Sequence, residues 1–240
     1  MAINYRKPST DPAALTGSGL LDLYQAAKVS VQRAGLTGER AATYLVIDHS
    51  RSMGPHYRDG SVQALAERVL ALAAHFDDDG VVPVVLFDTT ARPPVEISLR
   101  DYQGAIERIR AGAGRMGQTN YAAAMQTVIE HYRASGATSP GFVVFQTDGS
   151  PTSRTETTQI LCAASALPIF WQFVGFGDDE FAYLRRLDEL PVPAKRLVDN
   201  AGFFAAGAEP QQVPDEVLYA QLTAEFPDWL SAARQAGIVG

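Results

Sequence analysis

The sequence predicts an α/β fold: a doubly wound, mostly parallel sheet of about six strands with one antiparallel edge strand. Two observations carry this reading. Short runs such as Val81–Phe87 and Ile169–Phe176 are apolar at consecutive positions, so both of their faces need cover. Between the runs lie stretches with apolar residues at helical spacing, which supply that cover. A third observation concerns position: Asp48 and Asp148 each close an apolar run at its carboxyl end. In open α/β sheets that end, where strand order reverses, is where ligands bind.

The elements follow in order. Residues 1 to 17 are rich in Pro, Ser, Thr and Gly and read as a loose arm. Leu20, Leu21, Tyr24, Ala27 and Val31 recur at helical spacing, giving an amphipathic helix that ends near Gly35. Residues 1–40 are therefore expected to form an arm and a helix, and residues 41–240 the domain proper. Tyr44–Ile47 is the first strand, followed by a helix over Ser61–Phe76 and a strand over Val81–Phe87. Val95, Ile97 and Leu99 alternate with polar residues just past Arg92-Pro93-Pro94. That link is too short for a helical crossover, so this strand pairs antiparallel at an edge. Helices are predicted over 101–110 and 121–134, a strand over Phe142–Phe145, a helix over Thr155–Ser165 and a strand over Ile169–Phe176. A short helix over Glu180–Leu187 and a last strand near Arg196–Val198 complete the sheet. Pro214 and Pro227 each sit near the start of a final helix, where a missing N–H costs nothing.

Composition narrows the function classes. The 240 residues are enough for one large domain, and 46% hydrophobic with 20% charged residues excludes global disorder. A formal net charge of −7 argues against a nucleic-acid partner, which calls for a basic footprint. Cys162 is the only cysteine, so neither an intrachain disulfide nor a cysteine metal cluster can form. Without an apolar leader or a membrane-length apolar run, the expectation is a cytoplasmic protein with no membrane insertion.

Three oxygen-rich turns carry the chemistry: Asp48-His49-Ser50-Arg51-Ser52, Gly117-Gln118-Thr119-Asn120 and Gln146-Thr147-Asp148-Gly149. Their side chains are hard donors suited to Mg²⁺, Mn²⁺ or Ca²⁺ rather than zinc or copper. Each turn alone would be an ordinary Asx or Ser/Thr turn capping a helix. In this order they resemble the metal-ion-dependent adhesion site of von Willebrand factor A domains, whose pattern is D-x-S-x-S, then Thr, then Asp. The resemblance implies that Ser50, Ser52 and Thr119 bind the ion directly, while Asp48 and Asp148 act often through water. It also implies Mg²⁺ with an open position that an Asp or Glu carboxylate from a protein partner fills. Arg51 departs from the pattern, where many members carry glycine, and is expected to point outward.

The stretches His75-Phe76-Asp77-Asp78-Asp79-Gly80, Gln146-Thr147-Asp148-Gly149, 170–177 (FWQFVGFG) and 198–204 (VDNAGFF) resemble the TerF-like branch of bacterial von Willebrand A proteins. That branch is associated with tellurium-resistance and stress operons, so other proteins of such an operon are implied partners. Some relatives carry a calcium-binding domain of the TerD type; the first 40 residues contain none, so a stand-alone module is expected. The competing reading is a Mg²⁺-dependent phosphohydrolase with Asp48 as nucleophile. Ser50 stands where that chemistry needs an acid two residues on, so no enzyme is expected.

Other features read as structural. Asp77-Asp78-Asp79 is a solvated helix end, and His49, His56, His75 and His131 are surface residues without ligand spacing. Trp171, Trp229 and Cys162 belong to packing. Gly112–Gly117 lacks the Lys-Ser/Thr ending of a phosphate loop and lends flexibility to the turn presenting Thr119.

Overall fold

A computed structural model describes residues 19–77, 80–192 and 194–240. The expected arm, and Asp78 and Asp79 of the acidic run, lie outside the described residues. The sheet has six strands in the order β3-β2-β1-β4-β5-β6. These are β1 (Ala42–Asp48), β2 (Val81–Phe87), β3 (Val95–Ser98), β4 (Gly141–Thr147), β5 (Ile169–Phe176) and β6 (Ala201–Gly207). All neighbours are parallel except β2 and β3, which pair antiparallel through Val84↔Val95 and Val82↔Ile97. The chain goes from β1 to one side and later returns to its other side, so strand order reverses between β1 and β4.

Side-chain alternation splits the core in two. Leu45, Ile47, Phe142, Val144, Phe170 and Val174 face one layer, built by α1 (Leu21–Arg33), α3 (Ser61–Phe76), α4 (Ala105–Ala111), α8 (Asp215–Thr223) and α9 (Phe226–Gln235). Tyr44, Val46, Val143, Phe145, Trp171 and Phe173 face the other, built by α5 (Tyr121–Ser135), α6 (Arg154–Ala164) and α7 (Ala182–Asp188). A short α2 (Gly54–Arg58) follows the first loop. Trp171 and Trp229 are both buried, as packing residues are. Cys162 is half-buried against the second layer. No helix among the described residues is long and apolar enough to cross a membrane.

The predicted last strand is corrected. Arg196–Val198 is not a strand, and β6 lies a few residues later. The Arg196 guanidinium is buried and donates to the carbonyls of Asp188 and Leu190, with an ion pair of 2.6 Å to Asp199. Those bonds pin the segment as a loop. The real strand reads AGFFAAG, and its Gly202 sits where neighbouring side chains come close. A Cβ at Gly202 would lie 2.8 Å from Gln172 Oε1 and 2.9 Å from Glu225 Oε1. The helix expected from residue 101 starts at Ala105, because Gly104 turns the chain in the left-handed region at φ 62°.

Candidate metal centre

Each of the three turns emerges where an element ends. Asp48 closes β1, and Ser50, with extended backbone, precedes a single 3₁₀ turn over Arg51–Met53. Thr119 directly precedes Asn120, whose side chain caps α5 by accepting from the Ala123 N–H at 3.1 Å. Asp148 follows β4, the parallel neighbour of β1. The Thr119 loop is stitched to the first loop as a miniature strand. Gly117 bridges Ser50, with Arg51 N–H donating to Gly117 O and Gly117 N–H to His49 O, both 3.3 Å.

The side chains form one hydrogen-bonded chain. Thr147 Oγ1 donates to Asp48 Oδ2 at 2.7 Å, and the Ser50 N–H donates to Asp48 Oδ1 at 2.7 Å. Ser50 Oγ lies 3.1 Å from Ser52 Oγ, which donates to Asp148 Oδ1 at 2.9 Å. Four of the five sequence-predicted site residues are thus in mutual contact. Thr119 sits on the adjoining loop, half-buried, its carbonyl accepting from Thr152 N–H and Oγ1 at 2.7 and 2.9 Å. Arg51 is exposed and makes no ion pair among the described residues, as expected of an outward-pointing side chain.

Electrostatics at this end of the sheet are unbalanced. Asp48 is fully buried and has no cationic partner among the described residues. Burial pushes its carboxyl up to about 7, against the pull of hydrogen bonds from Thr147 and Ser50. Burial also raises Asp148, with the Ser52 hydroxyl opposing. The charge of His56 also opposes the rise at Asp148, but neither carboxylate has a Lys or Arg ion pair among the described residues. Two carboxylates and two hydroxyls converging so fit a hard divalent ion. No group of three or more His, Cys, Asp or Glu suited to a metal occurs among the described residues, so a nitrogen- or sulfur-rich site is absent there. Both oxygens of Asp48 accept a hydrogen bond in a buried position.

Sequence reasoning missed the support beneath the site. His49 is a core residue, only 1% exposed, not a surface one. Its Nδ1 lies 3.4 Å from Asp88 Oδ2, which also accepts from Arg92 Nη2 at 2.8 Å. Burial favours a neutral Asp88, but the Arg92 hydrogen bond and charge outweigh it and hold the carboxyl below its ordinary range. Burial likewise lowers His49, keeping the imidazole neutral. The other three histidines are half-buried, His75 stacked on Tyr24 and His131 hydrogen-bonded to the Tyr44 hydroxyl. Tyr57 donates to the Asp48 carbonyl at 2.7 Å, and Tyr121 donates to Thr147 Oγ1 at 3.0 Å. Gly117 is a tight packing position rather than a flexible one: a Cβ there would lie 2.6 Å from Thr89 Oγ1. The only local signal was the alternation of Asp48 and the serines, since these partners come from distant segments.

A doubly wound sheet with hydroxyls and carboxylates gathered at its switch point is the arrangement expected of the von Willebrand A class. The chain belongs to the vWA-TerF-like family, described as the von Willebrand A domain found at the C terminus of TerF, whose model matches residues 40–239. It is 35% identical over 216 residues to the uncharacterized protein YcbR of Bacillus subtilis (strain 168), covering 88% of this chain and 86% of that protein. Among solved structures it resembles the manganese-loaded TRAP protein of Plasmodium vivax, with TM-score 0.53, 16% identity and coverage of 76% and 74% of the two chains. It also resembles proximal thread matrix protein 1 of the mussel byssus, solved with a zinc occupied MIDAS motif, with TM-score 0.51 and 16% identity. That match covers 81% of this chain, which spans about half (48%) of the mussel protein. At such identities the likeness is one of fold.

Proposed function

We propose that this chain is a metal-dependent protein-binding module. The Ser50, Ser52 and Thr119 hydroxyls would hold a divalent ion, Mg²⁺ in the cell with Mn²⁺ or Ca²⁺ as substitutes, and Asp48 and Asp148 would balance its charge directly or through water. The observation that carries this reading is the Thr147–Asp48–Ser50–Ser52–Asp148 hydrogen-bonded chain, an oxygen cluster with no Lys or Arg ion pair among the described residues. An ion held chiefly by neutral hydroxyls supplies unbalanced positive charge to an incoming carboxylate. The partner is accordingly a protein that offers an Asp or Glu side chain, and the operon-borne tellurium-resistance and stress proteins implied by the family are the natural place to find it. The interaction needs no bond to be broken, in keeping with the engaged oxygens of Asp48.

The test has two arms. Calorimetry of metal-stripped protein with Mg²⁺ and Mn²⁺ should show one site, lost in Ser50→Ala, with a rise in melting temperature at saturation. Pull-downs from native bacterial lysate should recover a partner with Mg²⁺, lose it with chelator or in Thr119→Ala, and regain it on adding metal back. Absence of divalent binding at millimolar metal refutes the metal site. A partner indifferent to chelator and to Thr119→Ala refutes the bridge. Turnover of a phosphate ester abolished by Asp48→Asn would instead favour the phosphohydrolase.

A further inference from the structure

A cleft lies on the side of the sheet covered by α6 and α7, and none of the oxygen-cluster residues lines it. It encloses about 460 Å³, within the size range of small-molecule pockets. Its inner wall is apolar, made by Tyr183, Leu187 and Leu190, all largely buried. Its polar lining is one-sided: Arg154, Arg186 and Lys195 line it, and none of its ten lining residues is Asp or Glu. In a chain with 27 acidic and 20 basic residues, that is a segregation of cations against the overall balance.

These cations are available. Arg186 and Lys195 have no ion pair and no side-chain hydrogen bond among the described residues, and both are exposed. Arg154 has only a hydrogen bond to Ser150 Oγ at 3.3 Å, and its guanidinium lies 5.6 Å above the Tyr183 ring. The walls are built to hold still. Tyr183 donates to the Arg154 carbonyl at 2.9 Å, and its oxygen lies 3.1 Å from Thr158 Oγ1, tying α7 to α6. The start of α7 is fixed by Phe181, which accepts a left-handed backbone at φ 50° and lays its ring where a Gly175 Cβ would be. Such strain in a non-glycine residue persists only where the surroundings enforce it.

We propose that this cleft binds a small organic polyanion: an apolar or aromatic body against Tyr183, Leu187 and Leu190, with phosphate or carboxylate groups held by Arg154, Arg186 and Lys195. Phosphate and carboxylate share the chemistry that forked guanidinium donors recognise. The apolar wall requires more than a bare inorganic ion. None of the oxygen-cluster residues lines the cleft, so its ligand is expected to bind without a divalent ion.

The probes are adenosine triphosphate for the phosphate source, benzenetricarboxylate for the carboxylate source, and inorganic triphosphate as an anion without a body. Each is titrated by calorimetry into metal-stripped full-length protein at low and high salt. The expected result is saturable binding of at least one organic probe, weakened by salt. The same probe should lose at least about tenfold in affinity in the Arg186→Gln/Lys195→Gln double variant. Both side chains are exposed, so the variant keeps its melting temperature and its divalent-ion binding, which serve as the folding control. A second variant, Ala182→Glu, places a carboxylate in the cleft from an exposed position and should abolish binding. The proposal is overturned if neither organic probe binds at millimolar concentration, if the double variant binds as the wild type does, or if inorganic triphosphate binds as tightly as the organic probes.

Discussion

Replacing Thr147 by valine tests whether the buried Asp48 carboxylate is held by the hydroxyl beneath it. Valine matches threonine in shape, so the change leaves no cavity and removes one oxygen. That oxygen donates to Asp48 Oδ2 at 2.7 Å and accepts from Tyr121 at 3.0 Å. Tyr121 keeps a second acceptor in the Gly149 carbonyl, so its loss is small. Asp48 Oδ2 has no replacement donor, because the residue is fully buried. A hydrogen bond to a charged group contributes about 1.5–3 kcal/mol, and a stranded buried acceptor costs a similar amount. The two overlap, so a net loss of roughly 2–3 kcal/mol follows. For a domain of this size that lowers the melting temperature by about 4–12 °C. Urea denaturation followed by circular dichroism would measure it in metal-stripped protein at about pH 9, above the value of about 7 to which burial raises Asp48, so that the carboxylate is charged. In an Asp48→Asn background the acceptor becomes an amide that can donate, and the same substitution should cost less than half as much. A loss below about 0.5 kcal/mol, or equal losses in both backgrounds, would refute the argument.

Two further outcomes follow from the geometry. Gly117→Ala drives a Cβ to 2.6 Å from Thr89 Oγ1, so Thr89, which accepts from the Gln118 N–H, or the loop carrying Thr119 has to shift. Overpacking of this kind costs about 1–3 kcal/mol, and divalent-ion affinity by calorimetry should fall more than stability does; unchanged affinity would show that this loop plays no part. Stability should also depend on Asp188, which burial, with Glu225 and Asp199 nearby, raises to about 7. The folded state therefore binds this proton more tightly than the unfolded chain, where a free Asp titrates near ~3.9. Its contribution is whole below that lower value and is lost as pH rises through about 7. Melting curves between pH 5 and pH 8 should show Asp188→Asn gaining on wild type as pH rises, and parallel curves would contradict the shift.

The strands that carry the site were legible because they are apolar along their whole length. Val81–Phe87 and Ile169–Phe176 have the predicted bounds, and the antiparallel edge at Val95 follows from a link too short for a helix. The adjacency of the strands ending in Asp48 and at Asp148 followed from the same alternation. The last strand was not legible, since its small residues carry little strand propensity and the close approach at Gly202 comes from Gln172 and Glu225, distant in sequence. Arg196-Leu197-Val198 carries local strand propensity, which the buried guanidinium overrides through carbonyls of another segment. His49 looked exposed because it lies between polar residues, yet Asp88 and Arg92 arrive from β2's far end to enclose it. Thr147 stood inside a quoted motif, but only the pairing of β1 with β4 assigns its hydroxyl to Asp48.

The antiparallel strand β3 has a consequence for how this molecule behaves when crowded. A parallel sheet exposed at its margin offers unpaired backbone groups to any neighbouring chain and so invites strand-by-strand growth. Here that margin is only four residues long and carries Glu96. It enters through Arg92-Pro93-Pro94, and neither proline can donate a backbone hydrogen bond. Pro83 of β2, opposite Glu96, further shortens the run of bonds that a sliding neighbour could imitate. The margin therefore accepts one native partner strand and presents a poor template beyond it.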